Sequence, residues 1–142
     1  MLETYQAETD YHTILWYQAG PMSKIDKFNI PAFLATQTDL RDRGYTTHLP
    51  ADLDDPEIVA ELLASDGSPS SSVLTWGECL AADVILISDI CGGVAVMTGW
   101  ENSRGACLET FTARLHGKPV VYTDTMLPVS SQTLIDAWGQ WA

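Results

Sequence analysis

Four short apolar runs, separated by segments with helical spacing, constrain the fold of this chain more than any other feature. They are rich in β-branched and aromatic residues and are bounded by turn-forming residues, as buried strands are: residues 13–18, 45–49, 94–97 and 119–123. One helical segment follows the first, the third and the fourth run, and two lie between the second and the third. This β-α-β-α-α-β-α-β-α order predicts a doubly wound, mostly parallel α/β sheet of four or five strands with flanking helices.

Residues 82–87 have the composition of a further strand, but their surroundings favour a helix. Thr75 and Glu78 have the spacing of a capping box, in which each side chain bonds to the backbone N–H of the other residue. Apolar residues then recur at helical spacing. We therefore predict a helix from Thr75 to Cys91, with Asp83 at the edge of its buried face. An acid in that position either has a structural partner or belongs to a site.

The length of 142 residues predicts one domain, residues 1–142, that is large enough for a real core. Residues 1–11 are polar and acidic, which indicates a flexible tail rather than a signal peptide. The serine-rich stretch at residues 64–72 predicts a mobile loop inside the domain. Since no apolar run has the length of a membrane helix, we expect a cytoplasmic protein without a membrane partner.

The charge balance and the cysteine and histidine positions exclude several kinds of site. Seven basic residues against 19 acidic ones give a net charge of −12, which argues against nucleic-acid binding because that requires clustered Lys and Arg. The three cysteines have no metal-finger spacing and are expected to be reduced core thiols. The three histidines are scattered, so we predict no metal site and no cofactor.

The segment from residue 99 to residue 109 concentrates the candidate chemistry. It follows an apolar run and opens a helix, which is where backbone N–H groups attract anions. Gly105 lies one helical turn before Glu109 on the same face, so it leaves room above that carboxylate for a ligand. The apolar stripe of this helix is predicted to consist of Leu108, Phe111 and Leu115. Glu109 is expected to border that stripe without belonging to it.

The loop after the first run is a second candidate, because ligands of open α/β sheets bind at the carboxyl ends of the strands. It comprises Gly20, Pro21, Met22, Ser23 and Lys24. Ser23 and Lys24 are either phosphate contacts or ordinary loop residues. At the other end of the chain, two tryptophans at positions 138 and 141 are expected to pack on a partner subunit or on the same chain.

Three patches of the sequence resemble the nucleoside 2-deoxyribosyltransferase-like proteins, and above all their small phage-associated branch. They are residues 17–22 with 29–33, then Asp83, then residues 99–109. The resemblance implies a Rossmann-like fold and a nucleophilic role for Glu109 at C1′ of a (deoxy)ribosyl group, through a covalent glycosyl ester. It further implies that Tyr17 helps to hold the nucleophile, and that Asp83 contacts the sugar or assists the departing base.

Ser103 departs from the transferases, which carry an aspartate six residues before the nucleophile. A serine there resembles the branch that hydrolyses nucleoside 5′-monophosphates, where it helps to bind phosphate. With serine instead of aspartate at this position, a phosphate dianion meets a hydroxyl and the helix N–H groups and is not repelled by a carboxylate. Arg104 either adds positive charge or is an ordinary exposed arginine. The candidate substrate-binding residues are Gly20, Pro21, Met22, Ser23, Ser103, Arg104 and Gly105.

Three functions are therefore weighed. The first is an N-glycosidase that releases the base from a (deoxy)nucleoside 5′-monophosphate. The second is transfer of deoxyribose between bases, and the third is a nucleotide-binding module without catalysis. The resemblance also implies a homodimer or higher homo-oligomer in which a neighbouring subunit completes the site, and a location in the host cytoplasm if the protein is phage-encoded.

Overall fold

A computed structural model describes residues 10–65 and 76–142 of the chain. Over these residues, four strands form one sheet in the order β2-β1-β3-β4, and every neighbouring pair is parallel. The strands are β1 (Leu15–Ala19), β2 (Thr46–His48), β3 (Gly93–Val96) and β4 (Val120–Tyr122). The predicted parallel, Rossmann-like α/β sheet is thereby confirmed.

Five α-helices flank the sheet in the described ranges, in the predicted chain order. They are α1 (Ile30–Asp42), α2 (Pro56–Leu63), α3 (Trp76–Ile85), α4 (Arg104–Leu115) and α5 (Ser131–Gly139). Successive strand side chains point to opposite faces, so the sheet has two cores. Trp16 and Val121 pack with Leu40 of α1 on one face, whereas Tyr17 packs on the other face, in the core to which α4 and α5 contribute.

The segment that had the composition of a strand is helical, as predicted. The α-helix α3 continues as a π-helix over Leu86–Ile90 and ends at Cys91. The ammonium group of Lys118 donates hydrogen bonds of 2.7–2.8 Å to the carbonyl oxygens of Ile87, Ser88 and Cys91. It thus satisfies carbonyls that a helix end leaves without partners. The predicted capping box rests on Thr75, which lies outside the described residues.

The two segments predicted to be mobile lie mainly outside the described residues. Tyr11, the last residue of the predicted tail, belongs to a short 3-10 helix (Tyr11–Thr13). Its ring packs edge-on against Trp16 with 4.9 Å between centroids, and the Trp16 indole donates to its carbonyl at 2.9 Å. Tyr11 is therefore part of the folded domain.

The strand order contains a switch point between β1 and β3. From β1 the chain crosses to β2 on one side, and from β3 it crosses to β4 on the other. The connections that leave these two strands therefore run to opposite sides of the sheet, and the carboxyl edge at such a point is where α/β proteins bind ligands. None of the helices in the described ranges has both the length and the apolar character of a membrane span.

Candidate active site

Tyr17, Asp83 and Glu109 meet beside the switch point, although they lie on β1, α3 and α4. Tyr17 is fully buried, and its hydroxyl donates a hydrogen bond of 2.5 Å to Oε2 of Glu109. The backbone N–H of Ala51 donates to Oδ1 of Asp83 at 2.8 Å. Both acids are buried, with 6% of Asp83 and 5% of Glu109 exposed. Asp83 also has a hydrogen bond with the Tyr17 phenol, so the structure brings together the three residues predicted to be catalytic.

Electrostatics keep the Tyr17 phenol in its neutral form. Burial raises the pKa of Tyr17 well above its ordinary value of 10.0, and the negative charges of Glu109 and Asp83 raise the same pKa further. Hydrogen bonds to both carboxylates act in the same direction. A neutral phenol is a hydrogen-bond donor, so Tyr17 holds the Glu109 carboxylate in one orientation.

Glu109 belongs to the buried face of α4, so the predicted apolar stripe of this helix is wrong. Leu108, Phe111 and Leu115 are 36%, 41% and 72% exposed, whereas Ala106 and Ala113 are buried against the sheet side. Small residues let the helix backbone pack closely against the strands. The face of α4 with small residues therefore lies on the sheet, and the long apolar side chains lie on the outward face.

There is open space beside Gly105, but the Glu109 carboxylate is buried, so the predicted access of a ligand to it stays a prediction. A Cβ atom placed on Gly105 would meet only the hydroxyl of Ser103, at 3.9 Å, within 4 Å. Gly105 is one turn before Glu109 on the same face of α4. A side chain at Gly105 would occupy this space.

The loops after β1 and β3 pack against each other at the same sheet edge. The N–H of Met97 donates to the carbonyl of Ala19 at 2.8 Å, and a Cβ atom on Gly20 would lie 3.1 Å from Cβ of Met97. Gly99 has φ +87°, and a Cβ atom there would lie 3.3 Å from Pro21. The two glycines therefore allow a close approach that other residues would obstruct.

The remaining residues of the loop after β1 differ in burial and contacts. Met22 packs, partly buried, against the small core of Phe28, Ile30 and Leu62, so it supports the loop. Ser23 is exposed. Asn29, whose side chain does not cap α1, donates instead to the carbonyl of Pro21 at 2.9 Å.

Ser103 is the N-cap of α4, and its hydroxyl oxygen accepts the N–H of Ala106 at 3.2 Å. A serine hydroxyl that accepts one bond still has its own proton to donate, so the cap leaves a donor for an anion at the helix start. Arg104 lies elsewhere. It is about 140° around the helix from Glu109, and its guanidinium lies 5.9 Å from the ring centroid of Trp141 on the outer side.

One contact of this site could not be predicted from the sequence. The N–H of Ala51 that holds Asp83 is a backbone group 32 positions away along the chain, so its residue type carries no signal. Asn29 did have a signal, because it lies in one of the patches that carry the family resemblance.

Comparison with known proteins gives one match. A family model described as "Domain of unknown function (DUF4406)" matches residues 14–122, a range that includes Tyr17, Asp83 and Glu109. No curated protein and no solved structure matches the chain.

Proposed function

Since the chain belongs to the DUF4406 family, whose description names no activity, we propose its function from the site: an N-glycosidase acting on a (deoxy)nucleoside 5′-monophosphate. The observation that carries this proposal is the hydrogen bond of Tyr17 to a buried Glu109, with Asp83 beside the same phenol. Retaining glycosidases use a pair of carboxyl groups close together, one of them as the nucleophile. Here a neutral donor orients one carboxylate and the second lies close by.

In the proposed reaction, Glu109 attacks C1′ of the sugar while the bond from C1′ to the base breaks. Asp83 contacts the sugar or delivers a proton to the departing base. Water then attacks C1′ of the glycosyl ester, which releases the Glu109 carboxylate and forms the free sugar 5′-phosphate. The proton of that water replaces the one that the base has taken. The buried setting strengthens these charge interactions relative to water.

The preference for a monophosphate rests on the start of α4. Ser103 and the first N–H groups of this helix lie within six residues of Glu109, or within roughly 9 Å along the helix axis, which is a suitable separation for the two ends of a sugar phosphate. Helix N-termini attract phosphate through their unpaired N–H groups and the helix dipole. The resemblance to nucleoside 2-deoxyribosyltransferase-like proteins supports the same assignment, because Ser103 stands where the monophosphate hydrolases carry serine.

The test is to incubate the protein with the common nucleosides and their 5′-monophosphates and to measure released base by chromatography. We expect free base from monophosphates. Glu109→Gln should lower turnover by about a thousand-fold or more, as loss of a covalent nucleophile does. Glutamine keeps the shape and an acceptor for Tyr17, so circular dichroism should show an intact fold. The control is Glu101→Gln, an exposed glutamate before the same helix, which should keep wild-type turnover.

Other outcomes separate the alternatives. Exchange of one base for another without free sugar phosphate would identify a transferase. Tight binding of monophosphates without any turnover would identify a non-catalytic binding module. In the hydrolase, a sugar analogue whose ester breaks down slowly should attach to Glu109, and mass spectrometry of the labelled peptide checks this. A label on another carboxylate would contradict the assignment.

A further inference from the structure

The loop between β1 and α1, residues 20–29, contains a run of residues in an unusual backbone conformation. Lys27, Phe28 and Asn29 have φ values of 55°, 51° and 60°, and Lys24 has a φ of 66°. This is the left-handed region, which residues with a Cβ atom adopt rarely and at a cost, although asparagine tolerates it best. Strained conformations persist only where surrounding contacts fix them, and they cluster at functional sites. Specific contacts must therefore hold this loop.

Two contacts hold the middle of the strained run against α2. Phe28 is buried, with 7% of its surface exposed, in the small core that it forms with Ile30 and Leu62. The N–H of Lys27 donates to the carbonyl of Ser65, just after α2, at 3.1 Å. These contacts fix the side of the loop that faces away from β1.

Asn29 connects the end of the loop to its beginning. It is the residue before α1, where an asparagine side chain ordinarily accepts a hydrogen bond from a helix N–H and caps the helix. Here the side chain makes no capping bond, and its Nδ2 donates to the carbonyl of Pro21 at 2.9 Å. The Asn29 amide thus closes the loop and leaves the start of α1 without a side-chain cap.

The residue that Asn29 holds lies against the segment that leads to α4. A Cβ atom on Gly99 would lie 3.3 Å from Cγ of Pro21. Gly99 precedes the 3-10 helix Trp100–Asn102, which is followed by Ser103, the N-cap of α4. A displacement of Pro21 would therefore change the surface beside the helix start at which the substrate phosphate is proposed to bind.

We propose that Asn29 is a positioning residue: its amide holds Pro21 against Gly99 and thereby fixes one wall of the substrate site. The effect on substrate rests on the proposed function, whereas the closure of the loop does not. Because the strained run relaxes when its contacts are lost, removal of this one hydrogen bond should release the loop while the rest of the domain stays folded.

Limited proteolysis of the full chain by trypsin tests the closure. Mass spectrometry follows cleavage after Lys24 in the loop and after Arg41 in α1, both of which are exposed. Asn29→Asp keeps the size of the side chain and its tolerance of the left-handed conformation, but a carboxylate only accepts hydrogen bonds and repels the Pro21 carbonyl. We expect the ratio of cleavage after Lys24 to cleavage after Arg41 to rise about tenfold or more, because only the loop opens. A general loss of stability would raise both rates together.

Two further variants separate the amide from charge and from backbone strain. Asn29→Gly allows the same φ without an amide or a charge, so its cleavage ratio should rise as in Asn29→Asp. The matched control is Lys27→Gly, which relieves strain in the same turn and keeps the Asn29 hydrogen bond. It should keep the wild-type ratio at Lys24. Circular dichroism checks that all three variants fold.

Steady-state kinetics test the effect on substrate, with a 5′-monophosphate from which the wild type releases base. Asn29→Asp and Asn29→Gly should both raise KM about tenfold and leave kcat within about threefold, because the catalytic carboxylates are untouched. Lys27→Gly should keep both constants. An unchanged cleavage ratio in both Asn29 variants, or an unchanged KM, would overturn the inference. A wild type that releases no base would instead refute the proposed function, and the cleavage ratio would still decide whether Asn29 holds the loop.

Discussion

Ser103 has one structural role and one proposed role, since its hydroxyl oxygen caps α4 and we propose that its proton is donated to the substrate phosphate. The cap accepts the N–H of Ala106 at 3.2 Å. Aspartate caps helices as well as serine does, whereas alanine does not, with a difference of about 1 kcal/mol. Substitutions at this position can therefore separate the structural task from the proposed binding task.

Ser103→Asp should keep the stability of the fold but lower kcat/KM for a monophosphate. Loss of a charge-assisted hydrogen bond costs about 1.5–3 kcal/mol, and repulsion between the carboxylate and the phosphate adds to it. We expect at least a tenfold loss for monophosphates and little change for nucleosides in steady-state assays.

Ser103→Ala is the comparison for this prediction. It should lower the midpoint of urea unfolding, because the cap is lost, and should impair monophosphates less than Ser103→Asp does. Equal losses for nucleosides and monophosphates in Ser103→Asp would show that the phosphate is not bound at this helix start.

At the scale of elements, the junction between α3 and β3 depends on a residue from a third element. The π-helix Leu86–Ile90 ends in carbonyls that point to Lys118, which lies after α4 and before β4. Its ammonium group is bonded to three carbonyl oxygens at once. Asp83 lies just before this π-helix, so Lys118 anchors the helix end that follows the candidate acid.

Lys118→Met should destabilise the protein by roughly 2–4 kcal/mol. Methionine retains the apolar stem of lysine but leaves three carbonyls without a donor, and bonds to charged groups are worth about 1.5–3 kcal/mol each before relaxation. Urea unfolding at one protein concentration measures this. Arg114→Met removes the same charge from an exposed position and should change stability by about 0.5 kcal/mol or less. Equal effects of the two variants would refute the anchoring role.

At the scale of the whole molecule, burial of ionisable groups in the core makes the free energy of unfolding depend on pH in the alkaline range. Burial raises the pKa of Cys91 from 9.0 to about 11, against the opposing charge of Lys118. Below pH 9 the thiol is neutral in both the folded and the unfolded state. Between pH 9 and 11 the unfolded state loses the proton first, so the free energy of unfolding falls as pH rises. Tyr17, whose pKa is also raised, acts in the same direction above pH 10.

Cys91→Ala should therefore lose less stability than the wild type between neutral pH and about pH 11. One pKa unit corresponds to about 1.4 kcal/mol, and we expect a difference of up to about 2 kcal/mol. Urea unfolding of both proteins at each pH measures it, with each protein referred to its own value at neutral pH, so that any cavity left by alanine cancels. Parallel losses in the two proteins would show that the Cys91 thiol does not contribute.

The order of the strands and helices was determined by the sequence alone, because it is set by residues close together along the chain. Apolar runs of strand length and helical spacing predicted the parallel sheet, and Pro31 and Gly44 marked the two ends of α1. The same local logic identified residues 82–87 as helical despite their strand-like composition. Helical spacing also singled out Asp83 and Glu109 as candidates, whereas Tyr17 and the catalytic roles of all three residues came from the family resemblance, which the local pattern does not contain.

The tertiary structure alone decided which face of α4 is buried and how the site is held. Periodicity indicates that a helix has two faces, but which face is buried depends on the surfaces of the sheet and of α5 that pack against it. Here small residues face the sheet, and the row from Leu108 to Leu115 faces outward. Glu109 thereby meets Tyr17, 92 positions away, and Asp83 meets the backbone of Ala51. Such long-range contacts leave no local signal, because they arise only when distant elements pack together.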